Sequence, residues 1–88
     1  MAAYLISYDL FAPGKDYNDL YESIKSLGDY YHALGSEWFV DTYLPIDQIR
    51  EKLKASMDSN DNVLITKLVS GYTGYLNQSA WDWLAKHI

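Results

Sequence analysis

The sequence contains no cysteine. Disulfide staples and thiolate metal ligands are therefore excluded, although the compartment is not fixed by that absence. No stretch approaches the roughly 18 apolar residues that a membrane-spanning helix needs. The N-terminus has neither a basic region nor a cleavage signal, so the chain is read as cytoplasmic. Bases are scarce: seven Lys and Arg stand against twelve Asp and Glu, a formal net charge of −5. Broad, non-specific binding to nucleic acid relies on Lys and Arg meeting phosphates, and this balance argues against it. A local basic patch, or a metal that reverses the local sign, stays open. The strong chemical signatures are missing as well. There is no phosphate-binding glycine loop, HExxH, GxSxG or EF-hand loop. Gly71 and Gly74 are too sparse for a phosphate cradle and read as turn residues. Repeats, linkers and low-complexity segments are absent.

What is present is an aromatic-rich chain of 88 residues with nine Tyr and three Trp. That length makes one domain with a modest core, of a size often helped by oligomerisation. Large amphipathic side chains fill small cores efficiently, and they are also enriched at interfaces. The organising stretch is Ala3-Tyr4-Leu5-Ile6-Ser7-Tyr8-Asp9-Leu10. As a strand it puts Tyr4, Ile6, Tyr8 and Leu10 on one side and Ala3, Leu5, Ser7 and Asp9 on the other. Neither set is polar throughout, so both faces should meet protein.

The chain breaks at Pro13-Gly14. Asp16 reads as an N-cap for a first helix over about Tyr17 to Leu27, with Tyr17, Leu20, Tyr21, Ile24 and Leu27 as its apolar face and Gly28 as its stop. Residues 30–34 and 37–43 are aromatic and β-branched, and Gly35-Ser36 suits a hairpin turn between them. A single bent strand is the competing reading. Pro45 opens a second helix with an Ile46, Ile49, Leu53 and Met57 stripe. Asp47 with Arg50, and Glu51 with Lys54, are spaced to pair on its wet side. Val63 to Val69 is a fourth strand. A turn at 70–74 leads to a short helix from Ala80 to about Lys86, capped by Asn77 or Ser79, with Trp81, Leu84 and Ile88 near one face. The order β-α-β-β-α-β with a helical tail predicts an α+β, ferredoxin-like sandwich whose tail, residues 70–88, packs on the body. Two helices cover one sheet face in that arrangement. A homodimer through the Tyr4, Ile6 and Tyr8 set would cover the other.

Four polar residues draw attention. Asp9, ending an apolar strand, can ligate a hard cation through oxygen or simply hydrogen-bond the following loop. Ser36 lacks a base and an orienter, so it is a poor nucleophile, yet a turn hydroxyl there can help hold a phosphate or a water. His32, beside Tyr30 and Tyr31, is either a general base or a satisfied structural histidine. His87 reads as solvated and favourable near a helix C-terminus. Asp41 and Glu37 read as solvated acids. Tyr72, Tyr75 and Trp81 form an aromatic cluster in the tail, where base stacking is conceivable but neighbouring bases are few.

The opening Leu5-Ile6-Ser7-Tyr8-Asp9-Leu10, the helix after it, the Ser36-Glu37-Trp38-Phe39-Val40 strand and the turn-then-strand at 60–68 together resemble the small CRISPR-associated Cas-two nucleases and their VapD-type relatives. The resemblance covers about the first 69 residues. It implies a homodimer with the two Asp9 carboxylates near the axis sharing a divalent metal, Mg²⁺ or Mn²⁺, with Ser36 at a polar position beside them. It further implies metal-dependent cleavage of RNA or DNA, or a scaffold role beside a larger integrase. The rival expectation is a non-catalytic module on the same scaffold that recognises a protein partner through its aromatic surface. Asp9 in its strand favours the nuclease; the net charge favours the module.

Overall fold

A computed structural model of the chain describes residues 1–12 and 14–88; the break expected at Pro13 lies outside the described residues. Seven elements follow one another: β1 (Ala2–Asp9), α1 (Asn18–Lys25), β2 (Asp29–Leu34), β3 (Glu37–Thr42), α2 (Ile46–Lys54), β4 (Asn62–Lys67) and α3 (Gln78–His87). The fold is α+β. Its four strands form one antiparallel sheet in the order β2-β3-β1-β4. β1 therefore lies inside the sheet, as its two-sided apolar pattern requires. β1 and β2 run parallel with β3 between them, and β3 and β4 run parallel with β1 between them. Each pair is joined through a helix.

That arrangement places α1 and α2 on the face carrying the even-numbered residues of β1. Tyr4, Ile6 and Tyr8 pack with Trp38 and Val40 of β3 against Leu20, Ile24 and Leu27 from the α1 side and Ile49 and Leu53 of α2. Ile6, Val40, Ile24, Ile49 and Leu53 have no exposed surface at all. The set expected to meet a second copy is thus the chain's own core, and the dimer face proposed at Tyr4, Ile6 and Tyr8 is corrected. Helical spacing in α1 and α2 supplies enough apolar surface to close this face without a partner.

The opposite face is covered by α3. Ala80, Trp83 and Leu84 pack on Ala3 and Phe39, with Tyr31, Ala33, Leu5, Leu68 and Trp81 around them. Residues 70–88 therefore dock on the sheet, but through Trp83 rather than through a stripe led by Trp81, which is only partly buried. α3 sits over the β2 and β3 half, where Tyr31 Oη and Ser79 Oγ share a hydrogen bond. Towards β4 the face stays open, and Leu64 is 65 % exposed.

Local details refine several sequence expectations. Asp16 caps one step early: its Oδ1 accepts the Asn18 N–H at 2.9 Å, and Tyr17 is the N-cap residue without a side-chain cap of its own. Gly28 is needed for close approach rather than for a left-handed turn, because a Cβ there would lie 2.1 Å from the Asp41 carbonyl oxygen. The 30–43 segment is a hairpin, with an irregularity between His32 and Leu34, so the single bent strand is set aside. On α2 the Asp47–Arg50 pair forms at 3.4 Å, but Glu51 meets Arg50 instead of Lys54. No helix among the described residues is long and apolar enough to cross a membrane.

Candidate functional site

Asp9 is exposed and stands opposite Asn62 in the β1–β4 register. Ser36 is also exposed, in the β2–β3 turn, and its carbonyl accepts the Tyr8 N–H at 3.1 Å. The two residues thus reach the same end of neighbouring strands. The shallow hollow beside Asp9, about 170 Å³, is lined by Ser7, Tyr8, Asp9, Asn62, Val63 and Leu64. It holds one carboxylate and no base. Among the described residues no group of three or more His, Asp or Glu side chains is arranged to hold a metal. Among the described residues Asp9 makes no side-chain hydrogen bond to the following loop. The loop is held by Asp61, whose Oδ1 accepts the Phe11 N–H at 2.7 Å, whose Oδ2 accepts the Asp58 N–H at 2.8 Å, and whose two oxygens lie 2.8 Å from the Tyr17 hydroxyl. Partial burial pushes the Asp61 carboxyl up. The Phe11, Asp58 and Tyr17 hydrogen bonds, with Lys15 nearby, outweigh it and hold the group below the usual carboxylate value. Tyr17 is raised by burial first and by its bond to Asp61 second.

His32 is structural. Its ring stacks flat on Trp38, with centroids 4.0 Å apart and 8° between planes, and its Nε2 meets the Gly35 carbonyl at 3.2 Å. Trp38 Nε1–H in turn donates to the Tyr8 hydroxyl at 3.1 Å. Burial pushes that Tyr8 phenol up despite the Trp38 bond. The aromatic excess at this end of the sheet is cladding around Trp38.

His87 was read as solvated, and the structure overturns this. Asp29 and Asp41 face each other across β2 and β3, a like-charge juxtaposition that is unfavourable by itself. The His87 imidazole fills the gap. Its Nδ1–H donates to Asp41 Oδ2 at 2.6 Å, and its Nε2 lies 2.9 Å from Asp29 Oδ2. The second contact is close enough for an ion pair but is not aligned as a hydrogen bond. Asp41 Oδ1 is buried without a hydrogen-bond partner among the described residues. The His87 ring also stacks on Trp83 at 4.0 Å, one helical turn before it. An Asp–His pair can orient a general base. Here, however, the second ring nitrogen faces another carboxylate, and the side chain is only 9 % exposed. The arrangement is a clamp that fixes the end of α3. It also explains Asp41, which is buried rather than solvated. Sequence spacing offered no sign of it, because His87, Asp29 and Asp41 meet only once strand register and helix docking are known.

Another concave feature lies on the same face, past the other end of α3. Its volume is about 310 Å³. Leu5 and Phe39 form the floor, Trp81 and Leu84 of α3 one wall, and the segment from Leu68 through Leu76 the other. Tyr72 stacks on Trp81 at 6.3 Å and 18°. Gly71, with φ +101, lets the backbone turn there in a region that L side chains rarely adopt. Glu37 is the single charged residue of the lining. Of the tail cluster Tyr72, Tyr75 and Trp81, the structure brings Tyr72 and Trp81 together near Glu37, while Tyr75 stands fully exposed at the rim. A second hollow, about 390 Å³ between α2 and the turn before β4, is lined by Arg50, Lys54, Met57, Asp58, Ser59, Asp61 and Val63; its mixed charges and the Asp61 hydrogen bonds mark it as part of the loop scaffold. No protein-family model and no solved structure matches the chain.

Proposed function

We propose that the protein is a non-catalytic binding module on a ferredoxin-like scaffold, and that it recognises its ligand at the pocket between β1, β3, α3 and residues 68–76. The two interleaved β-α-β units and the strand order support the ferredoxin-like reading of the scaffold. The observation that carries the binding reading is the contrast between the two candidate sites. The aromatic pocket has the volume and the apolar lining with few polar groups of a ligand site. The hollow at Asp9 offers one exposed acid and no base to meet a phosphate. The module reading is tested with the neutral apolar fluorophore N-phenyl-1-naphthylamine. Its emission should rise on mixing with the full chain, and Leu34→Arg, a change at a half-exposed rim position, should abolish the rise. No rise with the wild type would reject the module reading.

A metal-dependent nuclease remains the second proposal, and one observation favours it: the Asp9 carboxylate is exposed at its strand end, free to meet a symmetry mate. Cleavage of single- or double-stranded RNA or DNA with Mg²⁺ or Mn²⁺, lost in Asp9→Asn, would establish that reading in place of the first.

A further inference from the structure

We infer that the pocket takes a small organic cation with a flat apolar body, an arylalkylammonium in chemical class, with its charge at Glu37 and its body between Phe39, Tyr72 and Trp81. The inference rests on the binding-module reading and names the ligand class for it.

Charge selects the cation. Glu37 opens β3 opposite Ser7, so it projects from the same sheet face as Leu5 and Phe39. It is partly shielded from solvent, and none of the ion pairs among the described residues involves it. Among the described residues no Lys, Arg or His lines the pocket. An anion would meet like charge there. A neutral apolar ligand gains from the walls alone and leaves the carboxylate at the pocket edge hydrated and without a counter-charge. An ammonium group gains more from the carboxylate beside apolar walls than it would in bulk water.

The walls select the body. Aromatic faces carry negative quadrupole density and attract cations, so Tyr72 and Trp81 reinforce Glu37 rather than compete with it. The Tyr72–Trp81 stack offers an extended flat surface. Phe39 closes the floor and is itself held by Trp83, whose ring centre lies 5.6 Å away. The volume, about 310 Å³, suits a one- or two-ring molecule. The sign of Glu37 disfavours polyphosphates and nucleic acid at this pocket.

The test is a ¹H–¹⁵N correlation titration of the full chain with three probes of one shape: naphthalen-2-ylmethylammonium, naphthalen-2-ylmethanol and 2-naphthoate. The cation should bind about tenfold tighter than the alcohol, and the carboxylate should bind weakest. Shifts should centre on Leu5, Glu37, Phe39 and the Trp81 indole. Glu37→Gln should bring the cation down to the alcohol's affinity while leaving the alcohol unchanged. The dispersed indole signals report whether that variant is folded, and Glu37→Asp, which keeps the charge, should keep most of the preference. Equal affinity for all three probes, or preference for the carboxylate, would overturn the cation assignment while leaving a binding pocket in place. No shift with any probe would overturn the module reading as well. Concentration-dependent shifts of the same residues without any probe would identify a second copy of the chain as the occupant and overturn the inference.

Discussion

The two faces of the sheet are built differently. Under α1 and α2, side chains of β1 and β3 alternate into a layer with no exposed surface at Ile6, Val40, Ile24, Ile49 and Leu53. Under α3, the layer is thinner. It contains small residues such as Ala3 and Ala80, an imidazole between two carboxylates, an orphaned carboxylate oxygen and an open pocket. A well-packed apolar face contributes stability and tolerates little change. A face that keeps buried polar groups and unfilled volume gives up stability, and such departures gather where a protein binds something. On the proposed reading, the labour divides into scaffold on one side and recognition on the other.

The largest expected effect lies on the scaffold face. Ile6→Ala removes a fully buried side chain from the central strand and should cost about 2–5 kcal/mol in urea unfolding. Leu64→Ala, one strand away but 65 % exposed on the other face, should change stability by less than about 0.5 kcal/mol. Comparable losses for the two would erase the distinction between the faces.

Next comes the joint between α1 and the sheet. Gly28→Ala forces a methyl group against the Asp41 carbonyl and should cost about 1–3 kcal/mol. A neutral result in the same unfolding experiment would show that the α1–β2 connection can move away from β3.

The clamp ranks third. His87→Ala leaves Asp29 and Asp41 opposed and a carboxylate buried without its partner. It should cost about 1–3 kcal/mol and loosen α3, read as faster amide exchange confined to residues 78–87. Adding Asp41→Asn should recover part of the loss, because the uncompensated charge is then gone. Full stability in His87→Ala would reduce the clamp to a surface contact.

The smallest effect concerns pH. The Asp61 carboxyl is lowered in the folded chain, so it adds stability above its unfolded value and loses it as pH falls through the folded one. The urea midpoint should therefore drop as pH falls below about 4, and Asp61→Asn should flatten that drop. An unchanged slope would show that other carboxylates carry the acid response.

Much of the scaffold was legible in the chain. The alternation of Tyr4, Ile6 and Tyr8, the helical spacing of Leu20 with Ile24 and of Ile49 with Leu53, and the Gly35-Ser36 turn are local signals, and local signals survive folding. The assignment of faces was not legible. Period-two alternation says that two sets of side chains diverge, but not which set the helices will cover, so Tyr4, Ile6 and Tyr8 were sent to a partner they do not need. The polar clamp was hidden for the same reason. Asp41 and His87 each look solvated alone, and they meet Asp29 only once strand register and helix docking are known. At the candidate sites, Asp9 stood out because a carboxylate ending an apolar strand is conspicuous. Glu37 did not, because its meaning depends on Trp81 and Tyr72 arriving from the other end of the chain.

The central claim is that recognition belongs to the pocket beside α3. Mapping naphthalen-2-ylmethanol, the neutral probe, onto the amide and indole signals of the wild-type chain tests it most directly. The account expects shifts at Leu5, Leu34, Phe39, Leu76 and Trp81, with Leu20, Ile24, Ile49 and Leu53 unmoved. Shifts gathered at Asp9 and Asn62, or spread through the α1 and α2 layer, would contradict it.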